Sequence, residues 1–289
     1  MESSNIRIMV RGAYDVQKLR IQTGNRIVAN FKAKLGQEPS AAEETLEEEE
    51  QEILVDLRRR YKKLTDGVKT FPKQNKFKGD EVISSYTELC LIDQYVAMEE
   101  QEATHFKRIE QVLSDYPIFT EFLLQVKGCG PAISAVLLSE IDIHKAKYPS
   151  SLWKLAGYDV VIADNKGRSR LKDHLVPKSY TNKDGEIKET VGISYNPFLK
   201  TKLYVLGTCF LKVKESPYKE AYYNYKNRLE NSPIHKEKTK LHRHRMAMRY
   251  MVKRFLVDLH IKWRTLEGLE VFEEYSIGKL GMKHGPEEP

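Results

Sequence analysis

Lys127-Gly128-Cys129-Gly130-Pro131 is the stretch of this chain whose residue types and spacing are best fitted to chemistry. Two glycines flank one small residue between an apolar helix end, Leu124 to Val126, and a new apolar run that begins Ala132-Ile133. Glycine admits positive φ and close backbone approach. The first amides of a following helix have no internal acceptor, so an anion such as a phosphate can dock on them. Pro131 suits the first helical turn, where its missing N–H would have gone unpaired anyway. Lys127 adds a cation beside that turn. The chemistry in view is a grip on nucleic-acid backbone through Lys127, Gly128, Cys129 and Gly130, which positions a strand without reading its bases. The competing reading is a plain helical hairpin whose turn merely uses glycine.

Charge gives this turn a context. The chain carries a formal +7. Residues 200–264 hold 17 Lys and Arg against 5 Asp and Glu, a net of +12, so the remainder nets −5. Within that quarter, Lys238, Lys240, Arg243, Arg245, Arg249, Lys253 and Arg254 lie in one helical stretch, either as a phosphate-facing surface or as a solvated face. Tyr218, Tyr222, Tyr223 and Tyr225, interleaved with Lys219, Lys226 and Arg228, fit base stacking or core packing equally well. His235, His242 and His244 make a poor metal set, because residues two apart on a helix diverge and no Cys or carboxylate completes them. Three widely spaced cysteines, Cys90, Cys129 and Cys209, form neither a disulfide framework nor a metal clip, and a reducing compartment is expected. No signal-peptide pattern opens the chain and no apolar run is long enough for a bilayer, so the expectation is a cytoplasmic protein, nucleoid-associated in a prokaryote.

The elements that must position these residues are mostly helices. From Ile6 to Leu35, the apolar residues Ile6, Met9, Ala13, Val16, Leu19, Ile27, Phe31 and Leu35 recur at mostly three- and four-residue steps, which predicts one long amphipathic helix. The acidic run Glu43 to Glu52 leads into a second helix with acid at its start and base at its end, the polarity a helix dipole favours. Lys69 to Gly79 reads as a loop, and Asp80 to Ser114 as a third helix with a coiled-coil-like stripe. Ile118 to Val126 and Ala132 to Ile141 flank the glycine turn, with Ser150 to Leu155 a short helix after them. Ala163 to Gly192, which contains Asn182-Lys183-Asp184-Gly185, is irregular or a β-hairpin. Lys238 to Arg264 is the last helix, with Leu241, Met248, Met251, Phe255, Leu259 and Trp263 on one face. The fold class is therefore mostly α: a coiled-coil-like helical arm over residues 1–116 and a helix-hairpin-helix domain over 117–289 with a small irregular or hairpin insert.

Val126 to Ile141, followed by Leu152-Trp153-Lys154-Leu155-Ala156-Gly157-Tyr158, resembles the C-terminal domain of the bridge-RNA-guided insertion-sequence transposases. Gly192-Ile193-Ser194-Tyr195-Asn196-Pro197-Phe198-Leu199-Lys200 looks like that family's segment after its catalytic serine, and Val10-Arg11 to Leu35-Gly36 is similar to its helical arm. The resemblance implies a DNA-binding, recombination-related protein with a nucleophilic serine between Tyr158 and Gly192. Ser169, flanked by Arg168 and Arg170 that would steady phosphate charge, is the first candidate, and Ser179 is the second. The family's RuvC-like domain of four metal-binding carboxylates is not expected in this chain, where the arm-like helix is read almost from Met1. No cofactor is thus expected within this chain, and Mg²⁺ only with a separate RuvC-like partner. The implied partners are DNA, a structured guide RNA, and a second copy of the chain through the helical arms. The alternative is a non-catalytic architectural or structural protein that keeps the fold without the chemistry.

Overall fold

The computed structural model describes residues 2–40, 45–68, 70–159, 161–163, 166–168 and 174–272. The chain is mostly helical, with α1 Glu2–Lys34, α2 Glu48–Thr65, α3 Tyr86–Leu113, α4 Pro117–Glu121, α5 Pro131–Glu140, α6 Pro149–Leu155, α7 Pro197–Lys212, α8 Pro217–Asn231 and α9 Lys240–Leu266. Two small antiparallel ladders interrupt them, β1 Val161–Ala163 with β2 Lys166–Arg168, and β3 Leu175–Thr181 with β4 Ile187–Ile193. Contacts divide the chain into two compact units, one of residues 8–109 and one of residues 1–7 with 110–289.

In the first unit, Tyr14 packs on Phe106, Gln17 and Arg20 bond Glu102, and Lys34 reaches Glu88. Partners on α3 fall in number as those on α1 rise, so the two helices run antiparallel. α2 closes the pair into a three-helix core of Ile27, Val28, Phe31, Leu54, Leu57, Ile83, Leu89, Ile92 and Tyr95. Gly24 lies where all three helices meet, since a Cβ there would stand 3.1 to 3.3 Å from Tyr95, Leu54 and Leu46. Glu50, from the acidic run, is buried 3.8 Å from Lys32 and accepts the backbone N–H of Glu47 at 2.8 Å.

The expected stripe on α1 needs correction, because Leu19 is 53% exposed and Leu35 73%. Successive three-residue steps retreat by about 60° each around a helix of about 100° per residue. By Leu19 the apolar series Ala13, Val16, Leu19 has therefore left the inner face. That face continues through Gln17 and Arg20, which the 2.8 Å and 2.5 Å bonds to Glu102 satisfy. Leu35 stands past the last turn of α1.

The second unit is built round α9. Its residues Ala247, Met248, Met251, Val252, Phe255, Leu256, Leu259 and His260 are buried. Phe255 meets Phe210 of α7 and Tyr218 of α8 edge-on, each with centroids 5.5 Å apart. α7 crosses α9 closely at Gly207, where a Cβ would stand 2.7 Å from Met248. Leu241 departs from the expected apolar face and is 56% exposed, because it stands in the first turn of α9, ahead of the first buried position. Arg264 is buried and donates to the carbonyls of Ile143, Ala146 and Glu270, tying the end of α9 to the segment after α5. The expected insert takes the hairpin form. Leu175 pairs with Ile193 and Thr181 with Ile187, and the Asn182 side chain accepts the amides of Asp184 and Glu186 in the turn.

Candidate nucleic-acid interface

Pro117 opens α4, a 3₁₀ turn follows at Leu123–Gln125, and α5 starts at Pro131, so the glycine turn joins two short helical pieces. Gly128 has φ +96° and faces inward, its would-be Cβ 3.2 Å from Phe210 and 3.4 Å from the Cys209 backbone. Its lack of a side chain serves the turn and the seating of the turn on α7. Cys129 is buried, and burial raises its thiol to about 11, which keeps it neutral and unreactive. Gly130 is different. It is the N-cap of α5 with φ −78°, it is exposed, and a Cβ there would meet nothing within 4 Å. The amides of Ile133 and Ser134 turn back to its carbonyl at 3.1 and 3.0 Å. Ala132, second in the helix, has no acceptor for its amide within the helix itself, at the positive end of a ten-residue helix. Lys127 is exposed beside it.

The basic residues of the final helix divide by what they touch. Lys240 and Arg245 are exposed. Lys238 donates to His235 at 2.7 Å, and Arg243 donates to the carbonyls of Lys236 and Lys238, holding the segment before α9. Arg249 is half-buried near Tyr158, Asp159 and Tyr225, with burial lowering its pKa. Lys253 lies 4.4 Å from the Trp153 ring centroid. Arg243, Arg249 and Lys253 thus work inside the protein, and the open charge of this helix is carried by Lys240, Arg245, Arg254 and Lys262.

A groove of about 910 Å³ runs between the glycine turn and the start of α8. Phe122, Val126, Pro217, Tyr218 and Tyr223 give it apolar walls; Lys127, Lys214, Lys219 and Lys262 supply four cations against Glu215 and Glu220. Ser216 caps α8, accepting the Tyr218 amide at 3.3 Å. Lys219 is partly committed, donating to the Val213 carbonyl at 2.8 Å. Sequence reading missed Lys214, Lys262 and Phe122, since a groove between segments more than 80 residues apart has no local periodicity. The Ser216-Pro217 helix start between Lys214 and Lys219 was the available signal.

Among the tyrosines, Tyr218 and Tyr222 are buried, Tyr225 stacks on Tyr250 at 4.4 Å, and Tyr223 is 52% exposed. His244 is bonded to the Tyr222 hydroxyl at 2.7 Å. No family model, curated protein or solved structure matches the chain. Its own geometry therefore carries the reading.

Ser169 and Arg170 lie outside the described residues, and Arg168 pairs through its backbone with Val161 in the β1–β2 ladder. Ser179 is exposed on β3 opposite Glu189. A Ser-His-Asp set that sequence reading did not single out occurs at the base of the hairpin. Ser194 Oγ is 3.4 Å and Asp159 Oδ1 3.8 Å from Nδ1 of the buried His174. Both approach the same ring nitrogen, so the imidazole cannot pass a proton between them as a nucleophile relay requires. With the Ser194 amide on the His174 carbonyl at 2.8 Å and the Asn196 amide on the Leu155 carbonyl at 2.7 Å, the cluster fastens the hairpin to α6. Among the described residues no three His, Cys, Asp or Glu converge as a metal site. No described helix is long and apolar enough to cross a membrane.

Proposed function

We propose that this protein is a transposase-like nucleic-acid-binding protein, related to DNA recombination, that holds a phosphate backbone at the glycine turn. The observation that carries the reading is the exposed N-cap of α5 at Gly130, where a Cβ would meet nothing within 4 Å, with the exposed Lys127 three residues before it. An anion there meets backbone N–H, the positive helix end and an ammonium together. The exposed Lys240 and Arg245 extend the positive surface over the same unit, whose charge excess favours a polyanion. A grip of this kind reads no bases, so sequence choice in this proposal comes from elsewhere, a guide RNA being the candidate partner.

Strand transfer belongs to the same proposal as its finer part. Ser169 would attack the phosphodiester, Arg168 and Arg170 would offset charge, and a separate RuvC-like chain would supply the metal carboxylates. Equilibrium binding of two duplexes of unrelated sequence, followed by fluorescence anisotropy, tests the coarse claim. Affinities within a few-fold of each other, both weakened by Lys127→Ala, are expected. No measurable binding to either duplex would end the proposal. For the finer claim, Ser169→Ala should abolish strand transfer in a reconstituted assay while leaving duplex affinity unchanged.

A further inference from the structure

The geometry points to single-stranded nucleic acid, with an unpaired base seated in the groove between the glycine turn and α8, as a second substrate class for this protein. This inference rests on the phosphate-grip reading, because Lys127 belongs both to the turn and to the groove. Three features of the groove favour that occupant.

Its volume of about 910 Å³ lies within the range of about 300–1,000 Å³ typical of sites for small organic ligands, so it has room for a nucleotide. Its walls are apolar and aromatic, and aromatic faces give their stacking only to a base already out of a duplex. Tyr223 is the ring open to it, while Phe122 is half-buried and stacks on Phe255. The ring of the buried Tyr222 meets that of Tyr223 edge-on at 5.1 Å. Finally, the lysines outnumber the glutamates four to two, which matches a strand whose phosphates follow the rim while a base enters. A duplex engages the turn and the exposed charge of α9 but brings no free base face to the groove.

The test uses the full chain and three fluorescein-labelled probes: a 20-nucleotide oligo(dT), an abasic sugar-phosphate strand of equal length, and a 20-base-pair duplex. Wild-type protein should bind oligo(dT) about fivefold to a hundredfold more tightly than the abasic strand, the range that base–aromatic stacking supplies. Tyr223→Ala should bring oligo(dT) down to the abasic level and leave duplex and abasic affinities unchanged, whereas Tyr223→Phe should keep the preference. Lys262→Ala should weaken both single strands and spare the duplex. Equal wild-type affinity for oligo(dT) and the abasic strand, or a preference that survives Tyr223→Ala, would overturn the inference while intact duplex binding left the proposed function standing, and the groove would then be a seat for a protein segment. Loss of all three probes in the wild type would remove both.

Discussion

Replacing Gly130 with aspartate separates what the glycine turn does for the fold from what it does for a ligand. Gly130 is the N-cap of α5, its φ of −78° suits any L-residue, and a Cβ there meets no atom within 4 Å. Aspartate is among the best N-cap residues, and its carboxylate can accept the Ala132 or Ile133 amide. Gly130→Asp should therefore raise stability by about 0.3–1 kcal/mol, from the cap together with the helix dipole. For a unit of this size that is roughly 1–4 °C in melting temperature. The same carboxylate occupies the position proposed for phosphate. Two negative charges about 6 Å apart repel by about 0.7 kcal/mol at the dielectric of water and about 3 kcal/mol near a protein surface, so duplex affinity should fall roughly threefold to a hundredfold. Gly130→Ala, which adds bulk without charge, should change affinity little. Differential scanning calorimetry and fluorescence anisotropy on the same preparations read both quantities. A Gly130→Asp variant that is more stable and binds duplex as tightly as wild type would refute the phosphate site.

Further expectations concern the frame around the turn. Gly128→Ala places a side chain at φ +96° and 3.2 Å from Phe210, and should lower stability by about 1–3 kcal/mol in urea melts, unlike Gly130→Ala. Arg264→Met leaves the carbonyls of Ile143, Ala146 and Glu270 without their donor and should cost about 2–4 kcal/mol by the same method. The buried His260 bonds the Ala146 carbonyl at 2.8 Å, and burial lowers its pKa, so below about pH 6.5 the unfolded chain takes up a proton that the folded chain refuses. Stability should be flat above pH 7 and fall as the pH drops below about 6.5. His235 and His244, also lowered by burial, act in the same direction. Stability that rises on acidification over that interval would contradict the assignment.

Much of this fold is legible because proline marks where helices start. Pro117, Pro131, Pro149, Pro197 and Pro217 each stand in the first turn of a helix, where the missing N–H costs nothing. The Asn182-Lys183-Asp184-Gly185 turn likewise announces its hairpin, with Gly185 at φ +82°. What sequence periodicity cannot show is which polar residues are spent internally. Arg20 sits on the inner face of α1 because Glu102, 82 positions away, is there to meet it. Arg243 and Lys253 read as surface charge until the carbonyls of the preceding segment and the Trp153 ring are placed against them. The groove was hidden for the same reason. Lys127 and Lys262 share it only because the fold brings the glycine turn beside α8 and α9.

The central claim is that the turn at residues 127–130 holds phosphate, and the salt dependence of duplex affinity measures that most directly. Neutralised phosphates release counterions, so the logarithm of the binding constant should fall linearly with the logarithm of salt concentration, with a slope of about −0.9 per phosphate contacted. Lys127→Ala should make that slope shallower by about one, equally for two unrelated sequences. Affinity that ignores salt, or a slope unchanged by Lys127→Ala, would contradict the phosphate grip.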